Sequence, residues 1–185
     1  IVRRLVGSEM CIRDSVYPEW KNRYEGRISK DIFEMGDTLL ANYDKYADVR
    51  EGPMTLVQGD LRLDNLLFTD ENNRAILLDW QTAAVGLPLN DVAYCISTSF
   101  REPDERANNE KDLVKGYYDL LEVSDSYSFE QAWDDYRRAS FVGFLMAVFS
   151  AMIVERTDRG DEMFAVMAER SAWQALDLDA LSFLE

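Results

Sequence analysis

Strand-like patterning is confined to one short window of this chain, residues 54–78, and the segments on either side carry helical spacing. Met54-Thr55-Leu56-Val57 reads as a short buried strand, set off by the helix-breaking Gly52-Pro53. Leu66-Leu67-Phe68 and Ala75-Ile76-Leu77-Leu78 read as two more, joined into a hairpin through Asp70-Glu71-Asn72-Asn73. Strands this few and short cannot enclose a core of their own. The expected fold class is therefore α+β and mostly helical, with the strand and hairpin carried on a helical body. Polar residues crowd the loops beside those strands, so chemistry is expected there.

Apolar residues recur at helical spacing from Ser29 to Val49, Leu89 to Ser97, Glu105 to Val123, Phe129 to Glu155 and Glu162 to Leu176. Ser128, with Gln131 three residues on, makes a capping box for the fourth of these segments. That segment contains an apolar run from Ala139 to Val154, shorter than the roughly 18 to 20 residues a bilayer requires. Arg137, Arg138, Glu155 and Arg156 flank it, so it is expected as a buried central helix, with no membrane partner. There is no internal repeat and no low-complexity segment.

Composition removes several mechanisms. The 185 residues include no histidine, which excludes Ser-His-Asp triads, Cys-His dyads, His-based zinc protease motifs and two-His-one-carboxylate iron sites. Acid-base work must fall to carboxylates. A formal charge of −15 argues against nucleic acid as a partner, because phosphate-tracking needs clustered Lys and Arg. The two cysteines, Cys11 and Cys95, suggest neither a zinc ribbon nor a disulfide framework, and a cytoplasmic location is the default expectation. None of the nine glycines completes a dinucleotide-binding or Walker A loop.

The chemistry-bearing stretch is Gln58-Gly59-Asp60-Leu61-Arg62-Leu63-Asp64-Asn65, an Asp five positions before an Asn between two short apolar strands. Asp79-Trp80-Gln81 follows at the end of the next strand. Phosphoryl transfer to a hydroxyl needs one carboxylate to orient the acceptor and take its proton, and oxygen ligands to hold Mg²⁺ against nucleotide phosphates. These two loops supply all three groups. Gly-Asp and Asp-Asn pairs are also ordinary turn chemistry. The bare Gly-Asp-x-x-x-x-Asn pattern arises by chance in roughly a few per cent of chains this long, so the flanking strands and the second Asp carry the specificity.

The segment resembles the His-Gly-Asp-x-x-x-x-Asn loop of the aminoglycoside phosphotransferase and choline kinase-like superfamily, distant relatives of protein kinases. Together with Leu78-Asp79-Trp80-Gln81 and Asn90-Asp91-Val92-Ala93-Tyr94, it is most similar to bacterial ecdysteroid kinase-like members, and the resemblance runs from about Trp20 to the end. It implies the C-terminal lobe of a protein-kinase-like fold, and an ATP- and Mg²⁺-dependent transfer of phosphate to a hydroxyl of a small molecule. Carried over by position, Asp60 is the catalytic carboxylate and Asn65 and Asp79 bind Mg²⁺. Gln58 stands where the family has histidine, and is expected to hydrogen-bond the loop. Arg62 stands near the transferring phosphate, where it neutralises charge, or else is a surface arginine paired with Asp64 or Asp60. Asp91 accepts backbone N–H groups of the catalytic loop in this reading, or is a helix N-terminal Asp stabilised by the dipole. The ring of Trp80 is expected to pack under the metal loop.

For the acceptor pocket the candidates are Tyr94, Trp133, Asp134 and Tyr136, with Trp173, although aromatics at helical spacing are more often core. The acidic surface suits a cationic substrate, or serves solubility alone.

A complete kinase of this type also needs a Gly-rich loop and a strand lysine. The lysines here, Lys21, Lys30, Lys45, Lys111 and Lys115, all lie in or beside helical segments. The expected organisation is a non-native leader over residues 1–15, where Val6-Gly7-Ser8-Glu9-Met10-Cys11-Ile12-Arg13-Asp14 resembles translated sequencing adapter, followed by a C-terminal lobe over 16–185 whose ATP-binding lobe is missing. Two readings stand: a fragment of an active phosphotransferase with little activity alone, or a non-catalytic kinase-like binding module.

Overall fold

A computed structural model describes residues 15–47, 52–70, 74–123 and 125–185. The expected leader and Cys11 lie outside them, save Ser15, as do residues 71–73 of the hairpin turn. The chain divides into two compact units, one drawn from residues 1–49 and 140–185 and the other from 50–139. It is helical with four short antiparallel strands among the described residues, an α+β architecture.

Among its described residues the first unit holds helices and no strand: α1 (Tyr17–Arg23), α2 (Lys30–Ala41) and α3 (Tyr43–Ala47), then α7 (Phe141–Ile153) and α8 (Asp158–Asp177). Helix α1 has Pro18 in its first turn, where a missing N–H is harmless. Its Trp20 is fully buried and meets Tyr17, Tyr24, Phe33 and Phe144 with ring centroids 5.3 to 5.7 Å apart. Helix α7 packs along α8, whose buried residues include Phe164, Met167 and Gln174 and the small Ala165, Ala168, Ser171, Ala172 and Ala175. Small side chains let the two backbones approach, and Phe141 and Phe144, each fully buried, contribute about 2 to 3 kcal/mol apiece. Asp161, at the start of α8, accepts from Arg23 and from Arg156 Nε, the latter at 2.9 Å.

Two expected helices are each divided. Residues 29–49 separate into α2 and α3 at Asn42, and 129–155 separate at Ser140, whose dihedrals stay helical (φ −58°, ψ −23°). The stretch Phe129–Ile153 is long and apolar enough to cross a membrane by length and composition alone. In the fold, Phe141, Phe144, Ala147, Val148 and Ala151 of its second half are buried.

The second unit holds every strand: β1 (Thr55–Val57), β2 (Leu66–Thr69), β3 (Arg74–Leu77) and β4 (Ala84–Gly86), followed by α4 (Pro88–Ser99), α5 (Pro103–Leu120) and α6 (Phe129–Ala139). Strands β2 and β3 form the expected hairpin, with Leu66 opposite Leu77 and Leu67 opposite Ile76. Strand β1 pairs antiparallel with β4, Leu56 opposite Val85. Three residues without alternation carry no strand signal of their own, so β4 was legible only through its partner. Helix α6 opens with the expected capping box: Ser128 N–H donates to Gln131 Oε1 at 2.8 Å, and Gln131 N–H to Ser128 Oγ at 3.2 Å. The core gathers Leu89, Ala93, Tyr94, Val114, Ala132 and Tyr136. The outward faces of the strands are apolar, with Leu56, Leu67, Phe68 and Val85 all more than half exposed.

Candidate active site at the ends of the short strands

Gln58-Gly59-Asp60 leaves the end of β1, and Leu78-Asp79-Trp80 leaves the end of β3. Gln58 joins these two loops. Its side chain is 1% exposed; Nε2 donates to the carbonyls of Leu78 at 3.0 Å and Asp79 at 2.7 Å, while Oε1 accepts the N–H of Asp60 at 2.8 Å. An amide is suited to this because it offers two donors and an acceptor at once without carrying charge into a buried position. A further bond comes from Thr82 Oγ1 to the Gln58 carbonyl at 2.7 Å.

Gly59 is required by backbone and by space. Its φ is +84°, and a Cβ there would lie 2.7 Å from the Thr82 carbonyl oxygen. Asp79 also takes a left-handed conformation (φ 54°, ψ 70°), uncommon for a residue with a side chain. That turn sends the chain into the single helical turn Trp80–Thr82.

Helix α4 supports the first loop. Asp91, in its first turn, accepts the N–H of Gln58 on Oδ2 at 2.6 Å and the N–H of Gly59 on Oδ1 at 2.9 Å. Tyr94, one turn later, donates its hydroxyl to Asp60 Oδ1 at 2.9 Å. Burial first, then the Asp60 charge and this bond, push the Tyr94 phenol well above its ordinary pKa, so it remains a donor. Asn65 Nδ2 donates to Asp60 Oδ2 at 3.0 Å and to the Asp60 carbonyl at 2.8 Å. Arg62 places Nε 3.6 Å from Asp60 Oδ1 and Nη1 3.3 Å from Asp64 Oδ2, so it pairs with both carboxylates that the sequence offered.

The Asn65 carbonyl accepts the N–H of Leu78 at 2.9 Å, which brings Asn65 beside the residue preceding Asp79. The amide nitrogen of Asn65 is spent on Asp60, which leaves its Oδ1 as the atom suited to a cation, and the exposed Asp79 carboxylate accepts from Gln81 Nε2 at 3.0 Å. Two hard oxygen donors fit a magnesium ion whose remaining positions come from phosphate oxygens and water. No group of three or more His, Cys, Asp or Glu side chains that could hold a metal ion gathers among the described residues, here or elsewhere, so protein ligation at this site rests on one carboxylate and one amide oxygen.

Residues 14–124 match the model of the phosphotransferase enzyme family. The chain belongs to that family. Similar curated proteins include acyl-CoA dehydrogenase family member 11 of Gallus gallus, 34% identical over 84 residues, covering 44% of this chain and 10% of that protein. They also include acyl-CoA dehydrogenase family member 10 of Mus musculus, 40% identical over 72 residues (36% and 6%), and the probable acyl-CoA dehydrogenase IBR3 of Arabidopsis thaliana, 36% over 73 residues (38% and 9%). The chain thus spans a tenth or less of the length of these relatives. No solved structure matches it.

Within this member of the phosphotransferase enzyme family, several expectations need correction. Trp80 does not pack under its loop: it is 48% exposed, and its indole N–H donates to the Leu77 carbonyl at 3.2 Å because the left-handed Asp79 keeps the ring at the surface. Tyr136 is core: it is fully buried and donates to Glu110 Oε2 at 2.9 Å, beside the Arg106–Glu110 ion pair on α5. Trp133 stacks on Tyr136 at 5.2 Å with Lys111 over its ring, and Asp134 is exposed beside Arg137. These three residues of α6 consort with α5 and α6 instead of the loops. Trp173 belongs to the first unit. Tyr94 does reach the loop, as a buried donor to Asp60 and not as open pocket lining. Thr82 and Gln81 had no sequence signal beyond their closeness to Asp79.

Proposed function

We propose that this chain is the catalytic lobe of an ATP- and Mg²⁺-dependent phosphotransferase that moves the γ-phosphoryl group of ATP to a hydroxyl of a small molecule. The observation that carries this reading is the Gln58 bridge, which ties the loop bearing Asp60 to the loop bearing Asp79, the two loops from which phosphoryl transfer would draw its carboxylates. In this reading Asp60 orients the acceptor hydroxyl and takes its proton as the new P–O bond forms and the bond to ADP breaks. Asn65 and Asp79 hold Mg²⁺, which when bound offsets the charge of the phosphates. Arg62 faces the same region and adds positive charge beside Asp60.

The nucleotide's other contacts in a kinase of this type, a Gly-rich loop and a strand lysine, are proposed to come from a further lobe. The exposed apolar faces of β1 to β4 support that organisation, since Leu56, Leu67, Phe68 and Val85 form the kind of surface that a further lobe and an adenine ring cover. The chain alone is accordingly proposed to have little activity, to act in the cytoplasm, and to be of the ecdysteroid kinase-like kind. The simultaneous presence of Asp60, Asn65 and Asp79 favours an enzyme over a non-catalytic binding module.

The test is ATP consumption by the full-length gene product against a panel of hydroxyl compounds. Mg²⁺-dependent ADP release coupled to acceptor phosphorylation, abolished by Asp60→Asn, is expected. Full activity in Asp60→Asn, or robust activity of these 185 residues alone, overturns the respective parts of the proposal.

A further inference from the structure

The geometry assigns to Tyr94 the role of positioning residue for Asp60, fixing the carboxylate's orientation toward the acceptor hydroxyl; this rests on the phosphotransferase reading above. Helix α4 makes it possible. Asp91 and Tyr94 are three residues apart and share one helix face, so a single face grips three consecutive loop residues. Asp91 takes the N–H groups of Gln58 and Gly59, and Tyr94 takes the side chain of Asp60.

The two carboxylate oxygens of Asp60 are thereby held from opposite partners. Tyr94 donates to Oδ1 at 2.9 Å and Asn65 Nδ2 to Oδ2 at 3.0 Å. An aspartate whose side chain is a quarter exposed is ordinarily free to turn about its terminal torsion, and water would satisfy it. Here a phenol that is 1% exposed, anchored in the core of the second unit, removes that freedom. The donor is also neutral. It fixes the carboxylate plane without neutralising it as a lysine would, and the raised phenol pKa keeps the proton on Tyr94 while Asp60 stays the acceptor. An acceptor hydroxyl then meets a carboxylate already aimed, with the Arg62 guanidinium beside the same Oδ1.

Because the effect runs through Asp60, it separates from a structural role. In the full-length gene product, Tyr94→Phe is expected to lower kcat about tenfold to a hundredfold, the scale of misorienting a reacting group, with KM for ATP and for the acceptor within about twofold. The stoichiometry of Mg-ATP binding stays unchanged. A kcat within about twofold of the parent, or a loss carried by KM instead of kcat, overturns the assignment. A parent with no phosphotransfer overturns it together with the functional reading; an active parent silenced by Asp60→Asn but indifferent to Tyr94→Phe overturns the assignment alone. Should Tyr94→Phe fail to fold, fluorotyrosine at position 94 gives a second readout: its fluorine NMR signal is expected to move on Asp60→Asn and to stay in place on Asp64→Asn. A signal indifferent to Asp60→Asn overturns the assignment.

Discussion

The side-chain amide of Gln58 donates to the main-chain carbonyl of Asp79 at 2.7 Å, across 21 residues of sequence. With its bonds to the Leu78 carbonyl and the Asp60 N–H, one uncharged side chain sets the spacing of both loops. Gln58→Ala removes three bonds and leaves the groups they satisfied without their partner. A loss of about 2 to 4 kcal/mol of stability is expected, read by urea denaturation. Gln58→Glu is expected to be at least as damaging, because a carboxylate would face two carbonyl oxygens.

Asp91 accepts two main-chain N–H groups, one on each oxygen. Asn can accept only one of them and turns its own NH₂ toward the other, so Asp91→Asn is expected to lose about 1.5 to 3 kcal/mol, the range for bonds to a charged group. Amide hydrogen exchange at Gln58 and Gly59 checks this locally: both should exchange faster in the variant, while helix α8 in the other unit keeps its rates.

Gly59→Ala meets two obstacles, a φ of +84° and the Thr82 carbonyl oxygen 2.7 Å from the added Cβ. The backbone term alone is worth about 1 kcal/mol, and the contact requires the Asp79 loop to shift. The expected outcome is a lowered melting temperature and a weakened Thr82 to Gln58 bond, visible as faster exchange of the surrounding amides.

Asp161 supplies the acid sensitivity of the first unit. Burial opposes its charge, but Arg23 and Arg156 outweigh burial and hold its carboxyl below the ordinary value. The folded chain therefore stays ionised at Asp161 where the unfolded chain has taken up the proton. The contribution is complete above the unfolded pKa and is lost as pH falls from the ordinary carboxylate range through the lowered folded one. Asp161→Asn should flatten the stability profile in that window. It should also cost about 3 kcal/mol near neutrality, because Arg23 is left buried beside an uncharged group. Thermal melts of both proteins from pH 7 downward measure the two effects.

The strands β1 to β3 and the capping box at Ser128 and Gln131 were legible in the sequence because each is encoded by residues adjacent in the chain. Strand β4 was not, since Ala84-Val85-Gly86 becomes a strand only by pairing with β1. Nor were the breaks at Asn42 and Ser140, where apolar spacing continues through an interruption in the helical bonding.

Among the site residues, sequence spacing marked Asp60, Asn65 and Asp79, because residue types and turn positions are local properties, and the family resemblance added Gln58, Arg62 and Asp91. The pocket candidates fared differently. Tyr94, Trp133 and Tyr136 are all aromatic residues on amphipathic helices, and their pattern is the same whether the polar end meets a ligand, a carboxylate or the core. Only the packing of α4 against the β1 loop placed the Tyr94 hydroxyl on Asp60, and only the pairing of α5 with α6 turned Tyr136 onto Glu110. The sequence by itself determined strands β1 to β3, the helical body and the donor types of the site. The tertiary structure alone decided which partner each donor meets, because a hydrogen bond between residues tens of positions apart depends on where whole helices pack.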